Sequence, residues 1–207
     1  MIPKILITGH CGYVGTALGR ALNRVGLQFL GADIRADPAI DISTQKGQDL
    51  IVAAKPDLIF NLAAISGETA CLKNVKKAIS VNCWAPRELF FGCADSVFVQ
   101  ASSASVLGNR GPRVTPYAST KARSEISGML ILRLGTVVGW NPECMRWDTP
   151  AHKMMKDGLR SPPKITVNGP KRMRPWVTLD FLVAYLCSLA VNFSSSTLDE
   201  SNTYCAS

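Results

Sequence analysis

The sequence predicts an α/β protein built around a doubly wound, mostly parallel β-sheet. Short β-branched apolar runs alternate with amphipathic helical stretches from the N-terminus to residue 134. A glycine-rich turn joins the first apolar run to the first helical stretch. Strands joined through helices pair in parallel, because each crossover returns to the same end of the sheet. After residue 139 the pattern loosens and six prolines fall between residues 140 and 175, so we expect a smaller, irregular C-terminal region.

The individual elements follow from periodicity and from the residues that interrupt it. The predicted strands cover residues 4–8, 27–33, 57–63, 96–100 and 130–134. The predicted helices cover residues 14–25, 43–54, 73–93, a stretch that begins near 116, and 180–191. Gly26 ends the first helix, Ser43 caps the second, and Pro86 kinks or breaks the third. A loop at residues 194–197 and a last strand at 203–206 complete the predicted order.

Composition excludes several classes of protein. The chain has 207 residues and a net charge of +8. Of its residues 47% are hydrophobic and 18% are charged, a composition too apolar for a disordered chain. Its longest apolar stretch, residues 181–191, is shorter than the roughly 20 residues that span a bilayer, so we expect no membrane contact. Seven cysteines without a C-x-x-C pair favour a reducing, cytoplasmic compartment. The positive charge lacks basic runs and interleaved aromatics, which favours small anionic ligands over nucleic acid.

A glycine triplet marks a candidate dinucleotide site. Gly9, Gly12 and Gly15 follow the first strand and open the first helix. This spacing permits a tight turn and a close backbone approach to a pyrophosphate, which the free N–H groups of the helix would face. Asp33 ends the second strand, 18 residues after Gly15, where a carboxylate would accept the ribose hydroxyls. A carboxylate there favours NAD over NADP, although the nearby Arg35 leaves NADP open.

Two side chains inside this loop, His10 and Cys11, are of types that ligate metals. No second histidine or carboxylate partner is apparent near them in the sequence. We therefore interpret them as conformational filler and expect no metal site.

A candidate acid/base pair lies on the helix that begins near residue 116. Tyr117 and Lys121 are four positions apart, so both side chains lie on one helix face. An adjacent ammonium lowers the pKa of a phenol, which can then exchange a proton with a carbinol or carbonyl oxygen. Ser103 follows the strand at 96–100, at the sheet edge where sites gather in doubly wound folds, and could hydrogen-bond that oxygen. Ser102 and Ser105 are the alternatives for this role.

Together these motifs resemble the extended short-chain dehydrogenase/reductases, the NAD-dependent epimerase/dehydratase family that acts on nucleotide sugars. Residues 8–15 resemble the TGxxGxxG loop, residues 103–108 resemble SxxVYG, and residues 174–180 resemble RDFxxVxD. The resemblance implies a Rossmann-type dinucleotide-binding domain over residues 1–139. Residues 140–207 would form a small, truncated substrate-binding cap packed on it, from which helix 178–191 can return to the core fold.

The same resemblance implies a set of functional residues. The catalytic group would be Ser103, Tyr117 and Lys121. The cofactor-binding group would be Gly9, Gly12, Tyr13, Val14, Gly15, Asp33, Asp41, Ile42, Leu62, Ala63, Ala64, Asn82 and Lys121. The substrate-binding group would be Ser103, Thr136 and Arg174, with Arg174 on the substrate diphosphate. The resemblance also allows a homodimer through the helix at 73–93 and the helix of Tyr117.

Departures from the family pattern narrow the reaction. Ala104 and Ser105 stand where dehydratases carry an Asp-Glu pair, which argues against 4,6-dehydration. Ser105 also replaces the cysteine of fucose-synthase-like members, and Thr136 replaces the usual asparagine. The leading hypothesis is an NAD-dependent oxidoreductase or epimerase (an isomerase) of a nucleotide-linked sugar. The alternatives are an NAD(P)-dependent carbonyl or ketosugar reductase and, because segments near the pocket are short, an NAD(P)-binding regulatory protein with little turnover.

Overall fold

A computed structural model describes residues 3–108, 114–147, 149–158 and 175–203, without the side chains of 150 and 196–203. Its strands are β1 (Ile5–Thr8), β2 (Phe29–Ala32), β3 (Leu58–Asn61), β4 (Val97–Ser103), β5 (Leu130–Leu134), β6 (Thr136–Val138) and β7 (Trp176–Thr178). Its helices are α1 (Tyr13–Arg24), α2 (Gln45–Ala53), α3 (Glu68–Lys73), α4 (Val75–Ile79), α5 (Ala85–Gly92), α6 (Pro116–Arg123), α7 (Pro150–Gly158) and α8 (Leu179–Thr203).

The main sheet confirms the predicted doubly wound architecture. In the described part of the chain it is parallel throughout, in the order β2-β1-β3-β4-β5, while β6 and β7 pair as a small second sheet. The chain runs outward from β1 to β2 and then returns past β1 to β3. The strand order thus reverses between β1 and β3, the switch point at which such sheets leave a crevice at their carboxyl ends.

Both faces of the sheet are buried, as parallel sheets require. Alternate residues of β1 point to opposite faces. On one face Ile5 and Ile7 pack with α1 and with Leu182 and Leu186 of α8. On the other face Leu6 packs with residues of α2 and α5. Helix α8 therefore returns to the core, as the prediction for 178–191 allowed; the domain boundary at 139/140 stays a prediction.

One helix end and one helix start show which local signals the sequence carried. Helix α1 is followed by Gly26 at φ +79°, the backbone conformation that makes glycine an effective helix stop. The cap of the second helix lies one residue later than predicted, at Thr44 rather than at Ser43. Thr44 Oγ1 accepts the N–H of Gly47 at 3.1 Å, whereas Ser43 hydrogen-bonds the Asp41 carboxylate.

The predicted helix at 73–93 is divided. Helices α3 and α4 lead into a π-helical turn at Ser80–Trp84, and α5 continues from there. Pro86 lies at the start of α5. Proline has no N–H for the carbonyl four residues earlier, and a π-turn is one way in which the backbone accommodates such a gap. The interruption predicted at Pro86 thus occurs in the turn just before it.

The C-terminal prediction was partly wrong. Helix α8 does not end near residue 191 but continues through 194–197, where we predicted a loop, to Thr203. Ser195 Oγ donates to the carbonyl of Val191 at 3.0 Å, so this hydroxyl is satisfied within the helix. Of the predicted last strand, Thr203 ends the helix and 204–206 lie outside the described residues. Among the described residues, no helix has the length and apolar character that crossing a bilayer requires.

Candidate active site

A cleft of about 1430 Å³ opens at the carboxyl edge of the sheet. It gathers most of the residues that the sequence predicted for cofactor, catalysis and substrate. The predicted residues that line it are Gly9, Gly12, Tyr13, Val14, Gly15, Leu62, Ala64, Ser103, Tyr117, Lys121 and Thr136. Asp33, Asp41, Ile42, Ala63 and Asn82 lie outside its lining, and Arg174 lies outside the described residues.

The glycine loop is packed too tightly for side chains. Gly9 has φ +72°, and a Cβ there would lie 2.7 Å from the backbone nitrogen of Ala63. A Cβ on Gly15 would collide with the carbonyl oxygen of Gly9. Gly12 is the N-cap of α1 and supplies no capping side chain, so the first turn of the helix faces the cleft with backbone N–H groups. This arrangement suits a phosphate group.

Asp33 lies against this loop. Its side chain is almost fully buried, and one carboxylate oxygen accepts the N–H of Cys11 at 3.1 Å. The other oxygen accepts the backbone N–H of Arg35 at 2.9 Å and its Nε at 3.5 Å. Arg35 itself lines the cleft. The negative charge is therefore fixed at the end of β2, with a cation beside it.

The fold also brings His10 and Cys11 next to this carboxylate, although no spacing in the sequence indicates that contact. One ligand-type atom from each of His10, Cys11 and Asp33 lies within 4.8 Å of the others. The His10 ring nevertheless fills the space over Gly31, where a Cβ would lie 2.6 Å from it. Burial raises the pKa of the Cys11 thiol, so the thiol stays protonated at neutral pH. These contacts support the filler interpretation; the expectation of no metal stays a prediction.

Lys121 is buried beneath the cleft. Helix α6 begins at Pro116 after Thr115, whose Oγ1 accepts the N–H of Ala118, and this cap fixes the helix that carries Tyr117 and Lys121. Lys121 is only 3% exposed, and its Nζ donates to the carbonyl of Ala101 at 2.8 Å. Burial lowers its pKa to about 8. At neutral pH the site therefore still holds an ammonium, one helical turn from Tyr117.

The structure distinguishes the three candidate serines. Ser102 is buried and donates to Glu125 at 2.5 Å, and this carboxylate is also paired with Arg133 at 2.6 Å. Ser103 lines the cleft at the end of β4. Its Oγ accepts both the N–H of Ser105 at 3.2 Å and the hydroxyl of Ser105 at 2.8 Å. All three serines line the cleft, and the contact of Ser103 with a substrate oxygen stays a prediction.

Asn82 lies outside the cleft lining and forms hydrogen bonds to residues next to the cleft. Its side chain is fully buried in the π-turn. Its oxygen accepts the N–H of Ile65 at 2.8 Å, and its nitrogen donates to the carbonyl of Ile65 at 2.9 Å. The same nitrogen lies 3.3 Å from Thr120 Oγ1 on α6. Asn82 thus joins the segment after β3 to the helix of Tyr117.

Neither Asp41 nor Ile42 is among the residues that line the cleft. Asp41 pairs with Lys77 Nζ at 2.8 Å, and Ile42 is buried in the core. Burial alone would raise the pKa of Asp41, but hydrogen bonds from Lys77 and Ser43 bring it below its ordinary value. The adenine contact implied for this pair stays a prediction.

A polar network that the sequence did not reveal covers the glycine loop. We call residues 139–158, of which 148 is not described, the covering segment. Tyr13 donates its hydroxyl to the carbonyl of Gly139 at 2.8 Å, and burial raises its pKa to about 12, so the donor stays protonated. Buried His152 lies 3.2 Å from the N–H of Gly139, and Asn141 donates to the carbonyl of Tyr13 at 2.7 Å. These partners are more than 120 residues from Tyr13, so no local pattern could have indicated them.

The covering segment also reaches across the cleft. Arg146 Nη1 donates to Ser66 Oγ at 2.9 Å, which joins the segment to the loop after β3. Among the described residues, the cations that line the cleft outnumber the acids. The cations are Arg35, Lys73, Lys121, Arg146, Lys153 and Lys156, and the acids are Glu68 and Asp157. The lining therefore favours ligands that carry several negative charges.

Comparison with known proteins identifies the family. The family model described as the NAD dependent epimerase/dehydratase family matches residues 5–128, from β1 past the Tyr117/Lys121 pair. The chain belongs to this family. The resemblance drawn from its motifs is thereby confirmed, and the family's dependence on NAD agrees with the predicted cofactor. No curated protein matches the chain.

Several solved structures share the fold of this family member. MoeE5 in complex with UDP-glucose and NAD is 22% identical with a TM-score of 0.70, covering 87% of this chain and 69% of that one. An epimerase from Methanothermobacter thermautotrophicus is 20% identical with a TM-score of 0.73, covering 91% and 68%. The dTDP-4-dehydrorhamnose reductase from Yersinia enterocolitica is 19% identical with a TM-score of 0.71, covering 93% and 71%. At these identities the likeness establishes the shared Rossmann-like architecture.

Proposed function

We propose that this protein is an NAD-dependent enzyme that acts on a nucleotide-linked sugar, as an epimerase or an oxidoreductase. One observation carries the proposal: the glycine loop and the side chains of Ser103, Tyr117 and Lys121 line a single cleft at the carboxyl edge of the sheet. Membership of the epimerase/dehydratase family supports it. The nucleotide-sugar and NAD complexes of structurally similar MoeE5 support the same classes of ligand.

The residues at the switch point fit a dinucleotide. The tight loop at Gly9 to Gly15 and the open N-terminus of α1 would hold the pyrophosphate. Asp33, buried at the end of β2, would accept the ribose hydroxyls and disfavour a 2′-phosphate. Leu62, Ala63 and Ala64 follow β3 and would flank the nicotinamide end. Bound NAD would supply a reversible hydride acceptor at this position.

The catalytic residues divide the proton chemistry among them. Tyr117 would remove the proton from a sugar hydroxyl, or return it to a carbonyl oxygen. The buried ammonium of Lys121 would stabilise the tyrosinate, because charges interact strongly where water is excluded. Ser103 would donate a hydrogen bond to the same sugar oxygen and hold it toward Tyr117.

The substrate assignment depends on the basic cleft. The cations that line it suit a ligand with a diphosphate group. Thr136 in β6 lies at the cleft wall, and Arg174 remains the predicted diphosphate ligand. Ala104 and Ser105, in place of an acidic pair, favour epimerisation or reduction over elimination of water. The cytoplasmic location and the homodimer stay predictions.

A turnover screen tests the proposal. The purified protein would be given UDP-glucose or UDP-glucuronic acid with NAD, and dTDP-4-dehydrorhamnose with NADH. New epimers without net NADH indicate an epimerase, whereas accumulation or loss of NADH indicates an oxidoreductase or a reductase. Tight NAD binding without turnover of any sugar nucleotide would instead favour the regulatory alternative.

The variant Tyr117→Phe tests the assignment of the acid/base. We expect its turnover to fall about a hundredfold or more, because general acid/base catalysis contributes on that scale. NAD affinity, measured by fluorescence titration, should stay nearly unchanged. Tyr185→Phe on α8, where the side chain is exposed, is the matched control and should keep full activity. Unchanged turnover in Tyr117→Phe would refute the role of Tyr117.

A further inference from the structure

We infer that Ser105 is a positioning residue that makes the hydroxyl of Ser103 a hydrogen-bond donor toward the substrate oxygen. The inference rests on the proposed function, in which Ser103 contacts a sugar oxygen. It assigns a role to Ser105, at a position where dehydratases of the family carry an acidic residue and fucose-synthase-like members carry a cysteine.

The argument begins with the hydrogen-bonding capacity of a hydroxyl. A serine oxygen has one proton to donate and two lone pairs that accept. Ser103 Oγ accepts the backbone N–H of Ser105 at 3.2 Å and the hydroxyl of Ser105 at 2.8 Å. With the Ser105 hydroxyl as the donor of this pair, both lone pairs of Ser103 are occupied. The proton of Ser103 remains for a third partner, and the side chain of Ser103 lines the cleft.

The local backbone produces this pairing. Strand β4 ends at Ser103, and a 3₁₀ turn at Ala104–Gly108 follows at once. The turn folds Ser105 back, so that its N–H and its hydroxyl both reach the side chain two residues earlier. Ser102 also lines the cleft, but it is buried and its hydroxyl proton is donated to Glu125. Ser105 is therefore the neighbour in this turn that sets the direction of the Ser103 hydroxyl.

The direction matters for the chemistry. When Tyr117 takes the proton from a sugar hydroxyl, negative charge builds on the sugar oxygen, and a donor stabilises it while a lone pair repels it. Donation from Ser105 to Ser103 also polarises Ser103, which strengthens the bond that Ser103 donates in turn. Without Ser105, the Ser103 hydroxyl could donate to water or turn its lone pairs to the cleft. The Ser103 hydroxyl would then donate to the sugar oxygen in a smaller fraction of the enzyme molecules.

The test uses Ser105→Ala, Ser105→Thr, Ser103→Ala and the double variant Ser103→Ala/Ser105→Ala. We expect kcat of Ser105→Ala to fall about threefold to tenfold, the range for one neutral hydrogen bond, with little change in KM. Ser105→Thr keeps the hydroxyl and should restore most of the rate. Because Ser105 acts through Ser103, the double variant should be no slower than Ser103→Ala. Ser188→Ala on α8, whose hydroxyl bonds only its own helix in the described structure, is the control and should match the wild type.

Two readouts separate positioning from general support of the fold. The melting temperature and the Kd for UDP-glucose, measured by calorimetry with NAD present, should change little in Ser105→Ala. A wild-type rate in Ser105→Ala overturns the inference, as does a double variant that is much slower than Ser103→Ala. Loss of rate that Ser105→Thr fails to restore, together with a lower melting temperature, also overturns it. If the wild-type protein turns over no sugar nucleotide, the proposed function itself fails, and this inference falls with it.

Discussion

Replacing Lys121 with methionine should remove a charge that the folded protein buries at a cost. The side chain is 3% exposed, and burial lowers its pKa from the ordinary 10.5 to about 8. Below pH 8 the folded and unfolded chains both carry the proton, and the folded state bears the full desolvation cost. Between pH 8 and 10.5 only the unfolded chain binds the proton. The free energy of unfolding of the wild type should therefore rise with pH in this window.

The magnitude follows from the same values. Each pKa unit corresponds to 1.4 kcal/mol, so the burial of the ammonium costs about 3 kcal/mol at pH 7. Methionine keeps the unbranched stem, so it leaves no large cavity. It loses the hydrogen bond to the Ala101 carbonyl, which is worth about 1 kcal/mol at any pH. Lys121→Met should thus be more stable than the wild type by about 2 kcal/mol at pH 7. It should lose this advantage as the pH approaches 10.

Urea unfolding at pH 7.0 and 9.5 measures this difference. Other lysines and tyrosines titrate in both proteins, so their effect cancels when the variant is compared with the wild type at each pH. Lys46→Met replaces an exposed lysine on α2 and should show no such pH-dependent difference. If Lys121→Met and the wild type differ by the same free energy at both pH values, the reasoning from burial is wrong.

Two further variants test the charges around the cleft. Asp33→Ala should weaken NADH binding much more than NADPH binding in fluorescence titrations, because the carboxylate would hold the ribose hydroxyls and repel a 2′-phosphate; equal losses would refute that role. The Arg133 hydrogen bond lowers the pKa of Glu125, so this carboxylate stabilises the folded state above its ordinary titration range near pH 4 and loses that effect below it. Glu125→Gln should be less stable than the wild type by about 0.5–1 kcal/mol at pH 7 in urea unfolding, and the difference should shrink by pH 3; a constant difference would contradict the argument.

The parts of the site that the sequence predicted are those encoded over a few residues. The glycine triplet fits within seven positions. A Cβ on Gly9 would meet Ala63, and a Cβ on Gly12 or Gly15 would meet the carbonyl of Gly9. Tyr117 and Lys121 share a helix face because they are one turn apart, and Pro116 marks the start of that helix. Such signals depend on the geometry of a few consecutive residues, so they can be recognised without knowing the tertiary contacts. The family match extends over the same region.

The features that the sequence did not predict depend on tertiary contacts. At the start of α2, Lys77 donates to the Ser43 hydroxyl from 34 residues away, and that hydroxyl donates to Asp41, so Thr44 rather than Ser43 caps the helix. The extension of α8 past residue 191 runs through three serines and a threonine at 194–197, whose weak helix propensity favours a loop in the sequence. The covering segment is held by contacts between Tyr13 and residues more than 120 positions away. Periodicity and spacing carry no information about such pairs.

The cofactor half and the catalytic half of the cleft are joined by a chain of buried hydrogen bonds. Thr8, at the end of β1, donates to Asn61 at 2.5 Å, and Asn61 donates to Gln100 at 2.7 Å. Gln100 lies 3.3 Å from the hydroxyl of Ser124, which donates to the carbonyl of Lys121 at 2.8 Å. The first four side chains are fully buried, so breaking one of these bonds would leave a polar group unpaired at a large cost. The network therefore fixes the positions of β1, β3, β4 and α6 relative to one another. The positions of the glycine loop and of Lys121 are thus fixed from beneath the cleft, independently of how much of a substrate cap lies above it.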